Sequence, residues 1–509
     1  MSAGLNAVIC SKGITEGRSM VFNSYIFVFV FLPAVVIIYH LINKTGHYTP
    51  GRLFLLAASL FFYYCGDASS VLILIASILI NYSIHIFLTG KDRGIITRRL
   101  ILVTGLIINI GGLIVFKYLG FFTGIVNLLT GRAFTVWELM LPMGISYYTF
   151  SQIMVLSDSY KDPGTRYDFI DYALFVTFFP KILMGPIATA KEMIPQFNDT
   201  LRKKADPEKI SGGMVIFAVG LSKKVLLADN LAPYVSWGYS NIDKLGSTNA
   251  LLVMLSYTLQ IYFDFSGFCD MASAICLMLN ISLPDNFLSP YRACSVAEFW
   301  KRWHITLTGF FTKYVYIPLG GNRKGKVRTY INMFIIFLLS GLWHGAAFTF
   351  IVWGLIHGVG IAVCRMLRDA KHKLPKPAAH IGTFVFVNIA WVFFRASSLT
   401  EASRFLGQLF SFKFIPVNIE FIAAATPDEF QFLQWFLLNV SHKPPYVNGL
   451  LIVIGFLVLC TFISMFCKNA SERLATLKLN TRAVLTTVVL MVLSILSLSG
   501  MTEYIYTNF

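Results

Sequence analysis

The sequence predicts an all-α protein, a polytopic bundle of transmembrane helices. Of its 509 residues, 56% are hydrophobic and only 13% are charged, whereas about a quarter of the residues in a soluble domain carry charge. The apolar residues fall into many runs separated by short polar loops. Since about twenty helical residues cross the hydrocarbon core of a bilayer, we expect about eleven to thirteen spanning or half-spanning helices.

The chain begins with a polar stretch that differs from everything after it. Residues 1–19 lack the apolar length of a membrane helix and the basic start of a signal peptide. We predict that 1–19 form a disordered extension and that 20–509 form one integral membrane domain, with an aromatic tail at 503–509. The apolar segments of this domain lie at 22–42, 52–66, 70–89, 99–129, 136–157, 168–187, 210–232, 249–282, 303–319, 329–367, 380–396, 428–440, 447–467 and 482–500.

The apolar run 329–367 is too long for a single membrane helix and contains a histidine. Ser340, Gly341 and Gly345 lie in its middle, and we predict a break there that divides the run into two helices. The break would place His344 between the two helices. A histidine in an apolar membrane segment is costly to bury and usually functional, although a structural histidine bonded to a backbone carbonyl is the alternative.

The positive charge of the chain is concentrated in short loops. A formal net charge of +17 distributed in this way is typical of cytoplasmic loops and of contact with anionic lipid headgroups. The loop 91–99 is strongly basic, so we predict that it faces the cytoplasm. The polar segment 191–209 carries spaced apolar residues and is predicted to form a short interfacial helix. No basic and aromatic module of the nucleic-acid-binding kind is present, so nucleic acid is not an expected partner.

Two aspartates lie inside an apolar run, where carboxylates are rare. For Asp264 and Asp270 we predict a structural ion pair with Lys or Arg, and Arg302 is a candidate partner; a functional carboxylate is the alternative. The eight cysteines form no CxxC pair, so we expect neither a metal site nor a disulfide scaffold.

Two blocks in the second half of the chain carry a resemblance to a known family. Residues 298–308 read EFWKRWHITLT, and residues 340–346 read SGLWHGA. Together they resemble the signature of the membrane-bound O-acyltransferase family, and in particular its bacterial alginate O-acetyltransferase-like branch. Further blocks resemble the same branch in the expected order and extend the resemblance over nearly the whole chain from Met20: MVFNSYIFVFVFLP at the start, LPMGISYYTFSQI at 141–153, FFPKILMGPI at 178–187, YFDFSGFCDMA at 262–272 and WVFFRASS at 391–398.

The resemblance implies a catalytic tunnel inside the bundle and assigns residues to it. O-acylation needs a base that takes a proton from a hydroxyl group, and histidine can do so near neutral pH. His344 matches the catalytic histidine of the family and is expected to be the base. His304 matches the second family histidine, with a role in orientation, proton relay or oxyanion stabilisation, whereas His357 is expected to pack. The residues expected to support the tunnel are Asp264, Asn286, Arg302, Trp303 and Trp343.

The resemblance further implies substrates, a partner and a location. The expected acyl donor is cytosolic acetyl-CoA, with no bound cofactor, and the expected acceptor is a polysaccharide outside the bacterial cytoplasmic (inner) membrane. An extracytoplasmic esterase-like acetyltransferase of the SGNH type is expected as the partner that completes the transfer. The basic stretches Gly320–Arg328 and Arg365–Lys376 are expected to be solvated cytoplasmic faces; alternatively, some of their cations hold the phosphates of coenzyme A.

The chain ends in EYIYTNF, which fits an aromatic-x-Tyr-x-x-Phe motif. Related O-acylation systems carry this motif at the terminus of the transferase or of a small companion protein. Tyr506 is its central tyrosine, and a phenol is a chemically reasonable acyl carrier. The alternative is an ordinary aromatic tail at the membrane interface.

Two other functions remain open on the sequence. One is the transfer of D-alanine to teichoic acid from a carrier-protein thioester, and a neighbouring gene for a carrier-protein ligase would indicate it. The other is a lipid or polysaccharide transporter without chemistry, which should keep its function when His344 is replaced. No internal repeat is visible in the sequence, which counts against a transporter built on inverted repeats.

Overall fold

The computed structural model describes residues 20–90, 94–135, 139–371, 374–424, 444–500 and 504–505. Within these ranges the regular structure is helical and no β-strand occurs, which confirms the predicted all-α fold. The predicted extension 1–19, the predicted apolar segment 428–440 and all of the tail except residues 504 and 505 lie outside the described residues.

The chain divides into two compact units. The first consists of the residues up to Met214 together with Ala272–Leu283, and the second of Val215–Met271 and Pro284–Phe509. The longer helices that begin in the first unit are Leu32–Asn43, Tyr48–Gly66, Val71–Leu88, Ile95–Leu113, Leu119–Thr130, Ile145–Lys161, Phe169–Thr177, Ala190–Asn198 and Pro207–Ser222. The helices that begin in the second are Asp229–Ser240, Ser247–Met278, Val296–Trp300, Ile305–Phe311, Lys326–His344, Phe348–Asp369, Lys376–Arg395, Leu399–Leu409, Ile419–Ala424, Pro445–Phe466, Ala470–Ala475 and Thr481–Leu496.

The described helices make the chain a multi-pass membrane protein. Seven helical stretches are long and apolar enough to cross a membrane, and two shorter apolar helices, Phe27–Asn43 and Thr481–Leu496, add to them. The seven are Ala68–Leu88, Ile95–Thr130, Pro207–Ser240, Ser247–Met278, Phe348–Asp369, Lys376–Arg395 and Tyr446–Phe466. The apolar segment 303–319 is not among them, because it folds as the short helix Ile305–Phe311 and a single π-helical turn after it.

The spans differ in how much protein surrounds them. Within its most apolar window, 89% of helix Ser247–Met278 is buried, against 11% of Ile95–Thr130. Lipid tails are as apolar as leucine, so a membrane helix can expose an apolar face at little cost. The buried helix instead carries the carboxylates Asp264 and Asp270, both of which are enclosed by protein. Ionisable groups in a membrane protein are stable in such surroundings because they can pair there.

The long apolar run that contains His344 folds as two helices, as the sequence predicted. The first is Lys326–His344 and the second is Phe348–Asp369. The two helices pack closely because glycine lets membrane helices approach each other. At Gly341 the approach is so close that an added Cβ would collide with the carbonyl oxygen of Phe350. His344 is therefore the last residue of its helix, at the predicted break.

The segment 191–209 was predicted to form a short interfacial helix rather than a span, and a short helix, Ala190–Asn198, is present. A 3₁₀ turn, Thr200–Lys203, follows it. Asp199 separates the two elements, because its carboxylate accepts a hydrogen bond from the backbone N–H of Leu201 at 2.9 Å and so begins the turn.

Candidate active site

His304 lies in a tight connection between two short helices of the second unit. The helix Val296–Trp300 ends four residues before it, and the helix Ile305–Phe311 begins directly after it. The backbone of His304 has φ +44° and ψ +51°, a left-handed conformation that a non-glycine residue holds at a cost of about 1–3 kcal/mol. Such strain persists only where the surroundings fix the residue, and the side chain of His304 is completely buried.

The hydrogen bonds around Asn286 fix the protonation of His304. The side-chain oxygen of Asn286 accepts from the backbone N–H of Thr306 at 3.3 Å and from its hydroxyl at 2.8 Å. Because a backbone N–H can only donate, this atom of Asn286 is the oxygen and not the nitrogen. The same oxygen lies 3.1 Å from Nδ1 of His304, so Nδ1 carries the hydrogen and Nε2 carries the lone pair.

The nitrogen of His304 that carries the lone pair, Nε2, is buried and makes no hydrogen bond to a described residue. Burial lowers the pKa of His304 to about 3, so the ring is neutral at physiological pH. In this form Nε2 can accept a proton but cannot donate to an oxyanion. Of the three roles that the family resemblance leaves open, the resting geometry favours orientation or proton relay over oxyanion stabilisation.

His344 lies beside His304, and the two ring centroids are 6.5 Å apart. His344 is only 2% exposed and is enclosed by aromatic rings: Trp343 at 4.7 Å, Trp353 at 5.1 Å and Phe394 at 5.1 Å between centroids. Trp343 also lies 6.0 Å from the ring of His304. The structure therefore brings together four of the residues that the sequence assigned to the tunnel: His304, His344, Trp343 and Asn286, the last through its hydrogen bond to His304.

Trp303 and Arg302, two other residues predicted to support the tunnel, make contacts with residues other than the two histidines. Trp303 is buried and packs on Trp391, with 4.9 Å between the ring centroids, as expected of a wall residue. Arg302 pairs with Glu298 at 2.9 Å and donates to the carbonyl oxygen of Leu288 at 3.1 Å. Arg302 therefore holds the turn that leads into His304, and its proposed pairing with Asp264 was wrong.

Asp264 belongs to a buried ion cluster that the sequence analysis missed. Its carboxylate lies 2.8 Å from Nζ of Lys224, which also contacts Asp229 at 2.8 Å, and all three side chains are at most 7% exposed. The adjacent Lys223 pairs with Asp270 at 2.6 Å. Both aspartates therefore form ion pairs, as predicted, but with lysines. The sequence feature that could have identified these partners is the pair of neighbouring lysines within the apolar run 210–232, because cations in membrane segments usually pair with carboxylates.

The same cluster holds the start of the C-terminal tail. The backbone N–H of Ile505 donates to the second carboxylate oxygen of Asp264 at 2.9 Å. Tyr504 is buried, and its ring centroid lies 4.4 Å from Nζ of Lys224 and 5.3 Å from the ring of Phe268. These contacts combine a charge-assisted hydrogen bond with a cation–π contact. Tyr506 lies outside the described residues, so its role as a relay stays a prediction.

His357 has the contacts of a packing residue. Nε1–H of Trp300 donates to its Nδ1 at 3.1 Å, and its ring lies 4.9 Å from that of Trp353. Trp353 also contacts His344. His357 therefore fixes two tryptophans of the wall.

Replacing Asn286 with Ala should lower kcat without a matching change in KM, because Nδ1–H of His304 loses its acceptor. A buried hydrogen bond of this kind contributes about 1–3 kcal/mol, which corresponds to a loss of roughly tenfold or more in rate. Asn286→Asp, which keeps an acceptor oxygen, should restore part of the rate. Asn388 is another buried asparagine, bonded to Thr258, and Asn388→Ala is the matched control. An equal loss of kcat in both Ala variants would show that Asn286 acts only on folding.

The chain is similar over most of its length to bacterial O-acetyltransferases. The membrane-bound O-acyltransferase family model matches residues 125–400. A peptidoglycan O-acetyltransferase of Helicobacter pylori is 38% identical over 89% of this chain and 90% of its own length. A probable alginate O-acetylase of Pseudomonas aeruginosa is 37% identical over 77% of this chain and 75% of its own length.

Similarity to D-alanyl transferases is weaker. A teichoic acid D-alanyltransferase of Bacillus subtilis is 26% identical over 43% of this chain and 57% of its own length.

The region that the family model matches contains His304, His344 and Asp264.

Proposed function

The chain belongs to the membrane-bound O-acyltransferase family and is an acyltransferase, and from this premise we propose that it acetylates an extracytoplasmic polysaccharide with acetyl groups from cytosolic acetyl-CoA. The observation that carries the proposal is the buried pair of His304 and His344, 6.5 Å apart between ring centroids. Paired buried histidines with a fixed tautomer are what proton transfer to and from a hydroxyl requires. The similarity to two kinds of polysaccharide O-acetyltransferase supports the acetyl group and the acceptor class.

The proposed reaction is a transfer of acetyl from sulfur to oxygen. The imidazole of His344 takes the proton of the attacking hydroxyl, whose oxygen forms a bond to the thioester carbonyl carbon. The C–S bond breaks, and the imidazolium returns the proton to the leaving sulfur, which departs as the coenzyme A thiol. The neighbouring His304, with its lone pair on Nε2, can share the proton during this exchange. The aromatic enclosure excludes water, which would otherwise hydrolyse the thioester.

We further propose that Tyr506 is the first acetyl acceptor. Coenzyme A carries several negative charges, so moving the acetyl group alone across the membrane avoids moving the coenzyme through lipid. A phenol ester is activated enough to pass the acetyl group on to a serine or a sugar hydroxyl. The contacts of Tyr504 with Lys224 and of Ile505 with Asp264 support this role. These two residues directly precede Tyr506, so the chain is held inside the second unit immediately before the proposed acceptor.

The proposed location is the bacterial inner membrane, with the second transfer made by an extracytoplasmic SGNH-type partner. The seven apolar helices support a membrane location, and a cytosolic donor with an external acceptor requires a membrane that separates them. The D-alanyl alternative has the weaker support, because the similarity to D-alanyl transferases covers less than half of this chain.

The test of the proposal is the ester-bound acetate of the cell envelope with and without this gene. Mild alkali should release acetate from the wild-type peptidoglycan or secreted polysaccharide, and deletion should lower that release to background. Because a relative that is similar over 89% of this chain is a peptidoglycan O-acetyltransferase, purified peptidoglycan should be measured first. Unchanged acetate in both fractions, or release of D-alanine from teichoic acid that depends on the gene, would contradict the proposal.

A further inference from the structure

A basic cavity lies in the connection between two apolar helices of the second unit. Residues 467–480 join the span Tyr446–Phe466 to the helix Thr481–Leu496. They line an open-sided cavity of about 410 Å³, a volume within the range of about 300–1,000 Å³ that is usual for small-molecule sites. The cations that line it are Lys468, Arg473 and Lys478. The reaction described above uses none of them.

Among the described residues, none of the three cations of this cavity has a hydrogen bond or ion pair to a carboxylate, although Arg473 lies close enough to Asp270 to stabilise its charge. Lys468 donates to the hydroxyl of Thr476 at 2.9 Å, which orients the ammonium group without neutralising it. Nε of Arg473 is buried and has no hydrogen-bond partner among the described residues. The acid next to it in the chain, Glu472, is directed to Arg292 at 3.8 Å. One guanidinium with two ammonium groups is the chemistry that binds phosphate, since arginine binds it in a fork and lysine as a point charge.

The charge of this connection indicates the side of the membrane on which the cavity lies. Lys468, Arg473, Lys478 and Arg482 stand against the single carboxylate of Glu472 between residues 467 and 482. Short loops with an excess of lysine and arginine stay in the cytoplasm. The cavity is therefore on the side where coenzyme A thioesters are found.

Hydrogen bonds tie the cavity to the segment that orients His304. Asn469 donates to the hydroxyl of Ser289 at 3.2 Å, and Ser471 donates to Asp285. Arg292 donates to the carbonyl oxygen of Cys467 at 2.6 Å. All three contacts reach residues 285–292, which include Asn286, the partner of His304. An anion bound in the cavity is thus connected to the catalytic pair through one short segment.

We propose that the cavity formed by residues 467–480 binds the phosphate groups of the acyl-CoA donor. The proposal rests on the proposed function and names the donor site for it. It differs from the sequence-based alternative, in which the basic stretches Gly320–Arg328 and Arg365–Lys376 hold these phosphates. Lys468, Arg473 and Lys478 act as binding residues, so their loss should change donor affinity and leave the chemical step intact.

The test compares two donors that share one reactive group. Acetyl-CoA carries the phosphates, whereas S-acetylpantetheine has the same acetyl thioester and no phosphate. With purified protein in nanodiscs and an oligosaccharide acceptor, Lys478→Gln and Arg473→Gln should each raise KM for acetyl-CoA roughly tenfold, the effect of losing one charge-assisted hydrogen bond. The rate with S-acetylpantetheine should not change. Lys478 is exposed, so its variant should fold even if the arginine variant does not.

Matched controls separate this site from other basic surfaces. Lys244 is an exposed lysine elsewhere in the second unit, paired with Glu420, and Lys244→Gln should leave both KM values unchanged. The variants Lys324→Gln and Lys326→Gln probe the glycine-rich loop. A rise in KM for acetyl-CoA in these two, with none in the cavity variants, would overturn the proposal in favour of that loop.

A binding measurement makes the result independent of turnover. Adenosine 3′,5′-bisphosphate, which carries two of the three phosphates of coenzyme A, should bind the wild-type protein and bind the cavity variants roughly tenfold more weakly. Equal binding to all variants, or no binding to the wild type, would refute the site. If the nucleotide binds as expected but the wild type does not acetylate from acetyl-CoA, the proposed function fails and the anion site stands.

Discussion

Replacing His344 with Gln is expected to lower acetyl transfer about 10²- to 10⁴-fold, the usual contribution of a general base, while the protein inserts at a normal level. The reason is that Gln fills most of the imidazole volume among Trp343, Trp353 and Phe394 but cannot take the proton of the attacking hydroxyl. The measurement is the ester-bound acetate of the envelope, compared at equal amounts of inserted protein.

The matched control for this experiment is His357, another fully buried histidine in the same unit. Gln at position 357 still offers an acceptor to Nε1–H of Trp300, so His357→Gln should keep most of the activity. Wild-type acetate in the His344 variant would remove its assignment as the base. Equal loss in both variants would show that any change in this aromatic cluster disturbs the fold.

Replacing Tyr506 with Phe is expected to abolish acetylation of the polysaccharide while thioester binding and membrane insertion remain. The substitution removes one oxygen, the proposed attachment point of the acetyl group, and keeps the aromatic ring. The phenol has a pKa near 10 in water, so it needs a base, the role that we propose for His344. Mass spectrometry of the wild-type protein incubated with acetyl-CoA should detect an acetyl group on the C-terminal peptide, and the variant should lack it.

The control for the tail is Tyr504, which the described structure assigns to anchoring. Tyr504→Phe keeps the ring that lies over Lys224 and against Phe268, so the effect on acetylation should be small. Intact acetylation in Tyr506→Phe would refute the relay and leave the tail as an anchor. If instead the Tyr504 variant were as inactive as the Tyr506 variant, the hydroxyl of Tyr504 would carry a function that anchoring does not explain.

The sequence predicted the features that follow from local patterns. The apolar runs predicted helices, and the glycines around His344 predicted the break at which its helix ends. The segment 303–319 shows the limit of this approach. Its composition is apolar enough for a membrane helix, but the left-handed backbone of His304 and the turn before it delay the helix to Ile305–Phe311 and the π-helical turn that follows. Hydropathy alone does not report such a turn.

The site chemistry could be predicted only in part, because it depends on contacts between distant segments. The family resemblance identified His304 and Asn286 separately, but the tautomer of His304 follows from Thr306, which fixes the orientation of the Asn286 side chain. Similarly, Asp264 was recognised as a membrane carboxylate, whereas its partner Lys224 lies on another helix. A charged residue in a membrane segment predicts that a partner exists, but its identity is decided by packing.

The position of His344 at the end of its helix affects the energy of the proton transfer that we propose for it. The aligned peptide dipoles of a helix leave about half a negative elementary charge at its C-terminal end, which stabilises a cation there by about 0.3–1 kcal/mol. His344 is the last residue of helix Lys326–His344, so this partial charge lies beside the imidazole. The apolar side chains around His344 raise the free energy of its imidazolium form, and the helix dipole offsets part of this increase. The enclosure can therefore exclude water and still permit an imidazolium to exist for the short time that the reaction requires.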